Sequence, residues 1–158
     1  MFEKLKSLLK SKSFQSEVPH KIKKYKIHEK ILSQGEAHQH MYLIKSGKVR
    51  IVVHGELEEK KPVNPGVNEL GPDDIFGEFS IFDDSPASAD VIAVAETELF
   101  EIDIVAFKNY LQNNPAISCE IFYEMLVILV RRLRRADQTI VNLFAWGVKA
   151  HHIDKYLD

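Results

Sequence analysis

Between Ala116 and Trp146 the chain contains neither proline nor glycine. Asn114-Pro115 opens this stretch and Gly147 closes it. Asn is a good N-cap, Pro suits the first helical position, and Gly is a natural C-terminal stop. The stretch therefore predicts one helix of up to 32 residues, 115–146, about 48 Å long. A chain of 158 residues has room for one domain with one core, and such a core needs a shorter helix. Within the helix Met125–Val130 is apolar on every side, so it must be buried on every side. One face can lie on the body of the domain; the simplest cover for the other is the same helix of a second subunit. A homodimer is expected, with Ile121, Met125, Ile128, Leu129, Ile140 and Leu143 in the seam. The alternative is that the amphipathic N-terminus, with Phe2, Leu5, Leu8 and Leu9 at helical spacing over residues 1–14, folds back over that face.

Ahead of the helix the period changes. From Lys21 to Asp103 the apolar runs are short and β-rich. In Lys48–His54, Val49, Ile51 and Val53 alternate with Lys48, Arg50 and Val52. Turn signals punctuate the runs: Gln34-Gly35, Ser46-Gly47, His54-Gly55, Asn64-Pro65-Gly66, Gly71-Pro72 and Ser85-Pro86. Short strands at this spacing suggest a β-sandwich, jelly roll or small barrel, with Val91–Val94 and Leu99–Ile102 as its last strands. A short helix is expected over Ile104–Gln112.

The formal net charge of -2 conceals a segregation along the chain. Residues 1–61 carry +7, residues 62–107 carry -11 with no Lys or Arg at all, and residues 108–158 carry +2. Any anion site built from the middle segment must find its cation elsewhere. One cysteine, Cys119, excludes an internal disulfide framework and a cysteine-rich zinc site, and it reads as a packed small hydrophobe on the long helix. The longest apolar run, Met125–Val130, is too short to span a bilayer, and residues 1–12 lack the apolar core of a secretory signal. The expected setting is the cytoplasm, with no membrane partner.

In the acidic segment, Phe76-Gly77-Glu78-Phe79-Ser80-Ile81-Phe82 followed by Ser85-Pro86-Ala87-Ser88-Ala89 resembles the phosphate-binding cassette of cyclic nucleotide-binding domains. These domains occur in catabolite-activator-type regulators and in regulatory subunits of cyclic-AMP-dependent kinases. Gln34-Gly35-Glu36 through Met41–Val49 is similar to the family's first hairpins, and Asn114-Pro115 with Arg131-Arg132-Leu133 to its terminal helix. The resemblance implies a mainly β fold with flanking helices. That is a double-stranded β-helix, or jelly roll, with an N-terminal helix and a long C-terminal dimerisation helix. The implied organisation is an N-terminal helix and linker over 1–19, the β-roll with cassette and short helix over 20–113, the long helix over 114–147 and a tail over 148–158. It also implies ligand-binding positions: Phe76, Gly77, Glu78, Phe79, Ser80, Ala87, Ser88 and Ala89 in the cassette, and Ala136 and Asp137 where the family's helix meets the base. In the family, the Glu matching Glu78 accepts from the ribose 2′-hydroxyl, and an Arg pairs with the cyclic phosphate.

That Arg position is occupied here by Ala87, with Asp83, Asp84 and Asp90 in or beside the cassette. A charge-assisted Arg–phosphate contact contributes on the order of 1.5–3 kcal/mol, so its loss weakens binding by roughly 10–150-fold. A regulatory domain with weak or lost binding of cyclic AMP and cyclic GMP is therefore expected, acting by ligand sensing or protein–protein regulation. Two alternatives stand beside it: a working sensor with a relocated cation, from Arg131, Arg132, Arg134 and Arg135 or from Lys60 and Lys61, and a ligand-free dimeric scaffold with a protein partner. No cofactor beyond a weakly held cyclic nucleotide is expected.

Other classes fit less well. His38-Gln39-His40 resembles the paired histidines of cupin metal sites, but Met41–Lys45 supplies no carboxylate after it. These are read as exposed hairpin histidines, His151-His152 carries less still, and no metal is expected. Val148–Asp158 is too short for a helix-turn-helix unit, so sequence-specific DNA binding is not expected. No P-loop, nucleophile elbow or placed carboxylate pair appears, so an enzyme is not expected.

Overall fold

The computed structural model describes residues 3–56, 62–63, 67–83 and 85–150. Phe2, Lys60, Lys61, Asp84, His151-His152 and the end of the expected tail lie outside the described residues. The chain divides into two compact units, Met1–Ser118 and Cys119–Asp158.

The first unit begins with two helices, α1 (Glu3–Leu9) and α2 (Lys12–Glu17), where one was expected. The break falls at Ser11, whose backbone is extended. It allows Phe14 to join Leu5, Leu8, Leu9 and Val18 in the interior.

Eight strands form two four-stranded antiparallel sheets. One holds β1 (His20–Tyr25), β10 (Thr97–Asp103), β3 (His40–Ser46) and β8 (Ile75–Phe76) in that order. The other holds β2 (Lys30–Leu32), β9 (Asp90–Ala93), β4 (Val49–Val52) and β7 (Val67–Leu70). A small hairpin pairs β5 (Gly55–Glu56) with β6 (Pro62–Val63). This is a jelly roll, and helix α3 (Ile104–Asn113) follows it.

Strand alternation sorts the side chains into two cores. Leu32, Tyr42, Ile44, Val49, Leu70, Phe76, Val91 and Leu99 fill the inside of the roll. On β3 and β10 the intervening residues Met41, Leu43 and Ile102 are buried as well, on the outer face of their sheet. The helical side supplies Phe14, whose ring meets Phe107 and Tyr110 edge-on at 6.0 and 4.9 Å. Each such fully buried side chain contributes about 1.5–3 kcal/mol.

Asp103 starts α3 by accepting a hydrogen bond from the Ala106 N–H at 2.8 Å. Asn114 ends it, and α4 (Pro115–Ala150) opens on Pro115. Helix α4 is longer than expected because it continues through Gly147. Gly147 is absent from the left-handed glycines, and only that conformation would make it a C-terminal stop. A helical interior glycine costs about 1 kcal/mol and does not end a helix alone.

Two further expectations on α4 need correction. Cys119 is exposed, not packed. Of the six seam residues, Ile121, Met125 and Ile128 are buried in the single chain, Leu129 is half-buried, and only Ile140 and Leu143 are exposed. At about 100° per residue, Ile121, Met125 and Ile128 share one stripe and Ile140 falls outside it, whereas Leu143 returns to the azimuth of Met125 five turns further along and is exposed there.

Candidate functional site

The cassette begins where β8 ends. Phe76 is buried, and its ring stacks on that of Tyr42 with centroids 4.8 Å apart and planes 13° from parallel. Gly77 then takes a left-handed conformation, φ 73°. A Cβ at this position would sit 2.9 Å from the His40 carbonyl oxygen, so only glycine fits. The turn feeds a single-turn 3-10 helix, Glu78–Ile81. Its side chains alternate in environment: Glu78, Ser80 and Ile81 are buried, and Phe79 is exposed, as is the following Phe82. The amides of Phe82 and Asp83 both donate to the Phe79 carbonyl, at 2.8 and 3.1 Å. Asp83 accepts from the Ser85 N–H at 3.2 Å and shapes the return turn.

The far arm of the cassette is held by the turn after β2. Ala87 accepts from the Gly35 N–H at 2.8 Å and donates to the Glu36 carbonyl at 2.9 Å. Both of its backbone groups are thus used, and its side chain is buried. Ser88 is exposed and Ala89 buried. The structure therefore brings Phe76–Ala89 together with residues 35–38 into one assembly. Ala136 and Asp137 are exposed on α4, in the second unit.

Two features of the assembly were not read from the sequence. His38 is no exposed hairpin histidine. One ring nitrogen, Nδ1, lies 2.9 Å from the His40 carbonyl oxygen, and the other, Nε2, lies 3.1 Å from Ser80 Oγ on the cassette helix. Asp90, immediately after the cassette, is buried rather than facing an anion pocket as an open charge. It accepts from the Gln34 N–H at 2.7 Å and pairs with Lys30 Nζ at 2.7 Å and His54 Nε2 at 2.9 Å. Burial alone would push this carboxyl up; Lys30, the Gln34 amide and His54 together override it and hold it down at about 2. The signal was present in the sequence only as charge: Lys30 belongs to the basic segment and Asp90 to the acidic one.

The same exchange recurs across both sheets. Glu101, buried on β10, lies 3.2 Å from Lys21 Nζ and 2.7 Å from Lys23 Nζ on β1. Glu98 meets Lys24 at 2.9 Å and Lys45 at 2.7 Å, and these two lysines hold its carboxyl at about 2. Glu69 on β7 meets Lys48, just before β4, at 2.7 Å and Arg50, on β4, at 3.0 Å. Cations of the first third of the chain therefore meet carboxylates of the middle third across paired strands. The described groups at the cassette include a left-handed glycine, a buried carboxylate and a framework of backbone and side-chain hydrogen bonds. Among the described residues no group of three or more metal-ligating side chains occurs, and no helix is long and apolar enough to cross a membrane.

A jelly roll with this turn, helix and return arm defines a class of fold: a β-roll that carries a cassette between β8 and β9. The comparisons with known proteins are consistent with it. The family model for the cyclic nucleotide-binding domain matches residues 22–114, and the chain belongs to that family. It is 32% identical over 113 residues to the CRP-like cAMP-activated global transcriptional regulator of Mycobacterium tuberculosis, covering 72% of this chain and 47% of that protein. It is 32% identical over 83 residues to the cAMP-dependent protein kinase regulatory subunit of Yarrowia lipolytica, covering 52% of this chain and 20% of that one. Among solved structures, the Thermus thermophilus catabolite activator protein superimposes with a TM-score of 0.62 at 27% identity, covering 90% of this chain and 60% of that one. The chain spans about half the length, or less, of the curated relatives it matches.

Proposed function

We propose that this chain is a non-enzymatic regulatory domain whose cassette holds cyclic AMP or cyclic GMP weakly or not at all. The observation that carries the reading is Ala87. It stands where the resemblance places the phosphate-pairing Arg, and it carries no charge. The backbone around it is nevertheless locked in place by the turn at residues 35–36, so the frame of the cassette is kept while its cation is not. A phosphate without a paired cation in a partly buried site is held poorly.

Calorimetric titration of cyclic AMP and cyclic GMP into the wild-type chain and into Ala87→Arg tests this. The expected result is weak or undetectable binding by wild type and a gain of about tenfold or more in Ala87→Arg. Submicromolar binding by wild type overturns the reading and favours a relocated cation. Binding by neither protein favours a ligand-free scaffold.

The domain acts as a homodimer through α4 in this proposal. Leu126, Leu133, Ile140 and Phe144 are all more than half exposed and fall within about 40° of one another around the helix. This row replaces Ile121, Met125 and Ile128 as the seam. Sedimentation at tens of micromolar is expected to give a dimer for wild type and a monomer for Leu133→Glu; a monomeric wild type would remove the seam.

A further inference from the structure

The link between His38 and Ser80 joins the loop ahead of β3 to the cassette helix. Ser80 is buried, and His38 is half-buried, with its Cε1 3.3 Å from where a Cβ of Gly77 would lie. The ring therefore backs directly onto the residue whose left-handed turn launches Glu78. Both ring nitrogens are committed. In the neutral ring, Nδ1–H donates to the His40 carbonyl, which leaves Nε2 as an acceptor for the Ser80 hydroxyl. Protonation reverses the second bond: Nε2–H then donates to Ser80 Oγ, and the hydroxyl proton is released to another acceptor. It also places a positive charge behind a cassette whose own segment, residues 62–107, contains no Lys or Arg.

We propose that His38 is the positioning residue of the cassette, and that its protonation turns the Ser80 hydrogen bond around and adds the positive charge that favours an anion there. This rests on reading Phe76–Ala89 as the family's anion-binding cassette. Anion affinity then rises on acidification, as the ring takes up a proton.

The surroundings of His38 are mixed. Lys30, Glu36, His40 and Tyr42 line the same cleft of about 620 Å³, and Glu78 lies on the cassette side. Lys30 is paired with Asp90, and His40 faces Glu101 at 3.9 Å. His40 is thus the second imidazole that any test must separate from the first.

The decisive measurement needs no ligand. The amides of Gly77–Ile81 are followed by NMR from pH 8 to 5.5 in the full chain. A one-proton step is expected in wild type, absent in His38→Gln and retained in His40→Gln. Ser80→Ala provides a second arm: the His38 ring still titrates, but the Gly77–Ile81 amides no longer follow it. A step that persists in His38→Gln, an unmoved wild-type cassette, or coupling that survives Ser80→Ala overturns the proposal. Cyclic AMP binding by Ala87→Arg is expected to be about tenfold tighter at pH 5.5 than at pH 8, and His38→Gln in that background is expected to flatten the profile. An Ala87→Arg variant that gains no affinity would sink the reading of the cassette but leave the amide titration to decide the role of His38.

Discussion

The strands and the cassette hold their places by different means. On the strands, Glu69, Glu98, Glu101 and Asp90 each meet at least one cation from the basic N-terminal third. At the cassette, the described contacts that set the shape are the Gly35–Ala87–Glu36 backbone pair, the His38–Ser80 bond and the turn of Phe82 and Asp83 onto Phe79. The segregation of charge along the chain is thus largely a pattern of cross-strand pairing. In antiparallel sheets, residues far apart in sequence stand opposite one another, and opposite charges there stabilise the register. The lysines of β1 also guard an edge strand, since among the described residues β1 pairs only with β10. Steric fit is decisive at the cassette turn, where a Cβ at Gly77 would meet the His40 carbonyl, which makes it the region where single substitutions are most local in effect.

This contrast can be broken from several sides. The largest effect is expected where the two regions share a side chain. Phe76→Ala removes the stacked partner of Tyr42 from the inner core and is expected to destabilise by about 3–4 kcal/mol in denaturant titration. Next, Gly77→Ala places a Cβ against the His40 carbonyl in a left-handed turn. A loss of about 2 kcal/mol is expected, and a near-neutral result would show that the cassette turn can shift.

Asp90→Asn is expected to cost about 1 kcal/mol at neutral pH by weakening the pairs with Lys30 and His54. Its pH dependence carries a definite sign. The carboxyl sits at about 2 in the folded chain against an ordinary value near 3.9, so its contribution is present above about pH 4 and is lost as pH falls toward 2. Acid unfolding of wild type and Asp90→Asn should therefore converge below that window. The smallest effect is expected at Glu98→Gln, on a half-buried carboxylate whose lysine partners Lys24 and Lys45 are exposed and screened by solvent; its unfolding midpoint should barely move, and less so at high salt. A large effect there would mean that solvent-facing strand pairs matter as much as cassette packing.

Much of the fold was legible in the residues. Turn signals and alternating strands delimited the roll, and Asn114-Pro115 marked the junction of α3 and α4. These are local features, governed by backbone conformation and side-chain period. The division of the N-terminal helix at Ser11 was not legible, because the gain comes from burying Phe14 against Phe107 and Tyr110, more than 90 residues away. The burial of Ile121, Met125 and Ile128 on α4 was not legible for a related reason. The segment Met125–Val130 is apolar all round, so its sequence alone does not say which stripe the chain itself covers.

The cassette shows the same division at finer scale. Its turn and the missing cation at Ala87 were readable as residue types in order. The part played by His38 was not, since the pairing with Ser80 spans 42 residues and depends on the loop before β3 reaching the cassette helix. By itself, then, the sequence determined the strands of the roll, the α3–α4 junction, the residues of the family's cassette and the absence of cations from residues 62–107. Only the tertiary structure decided which carboxylates meet which lysines, which face of α4 is left exposed, and which imidazole stands behind Gly77. The physical reason is range: backbone preference and side-chain period act over a few residues, whereas ion pairing, burial and hydrogen bonding act through space between segments that the antiparallel sheets bring together.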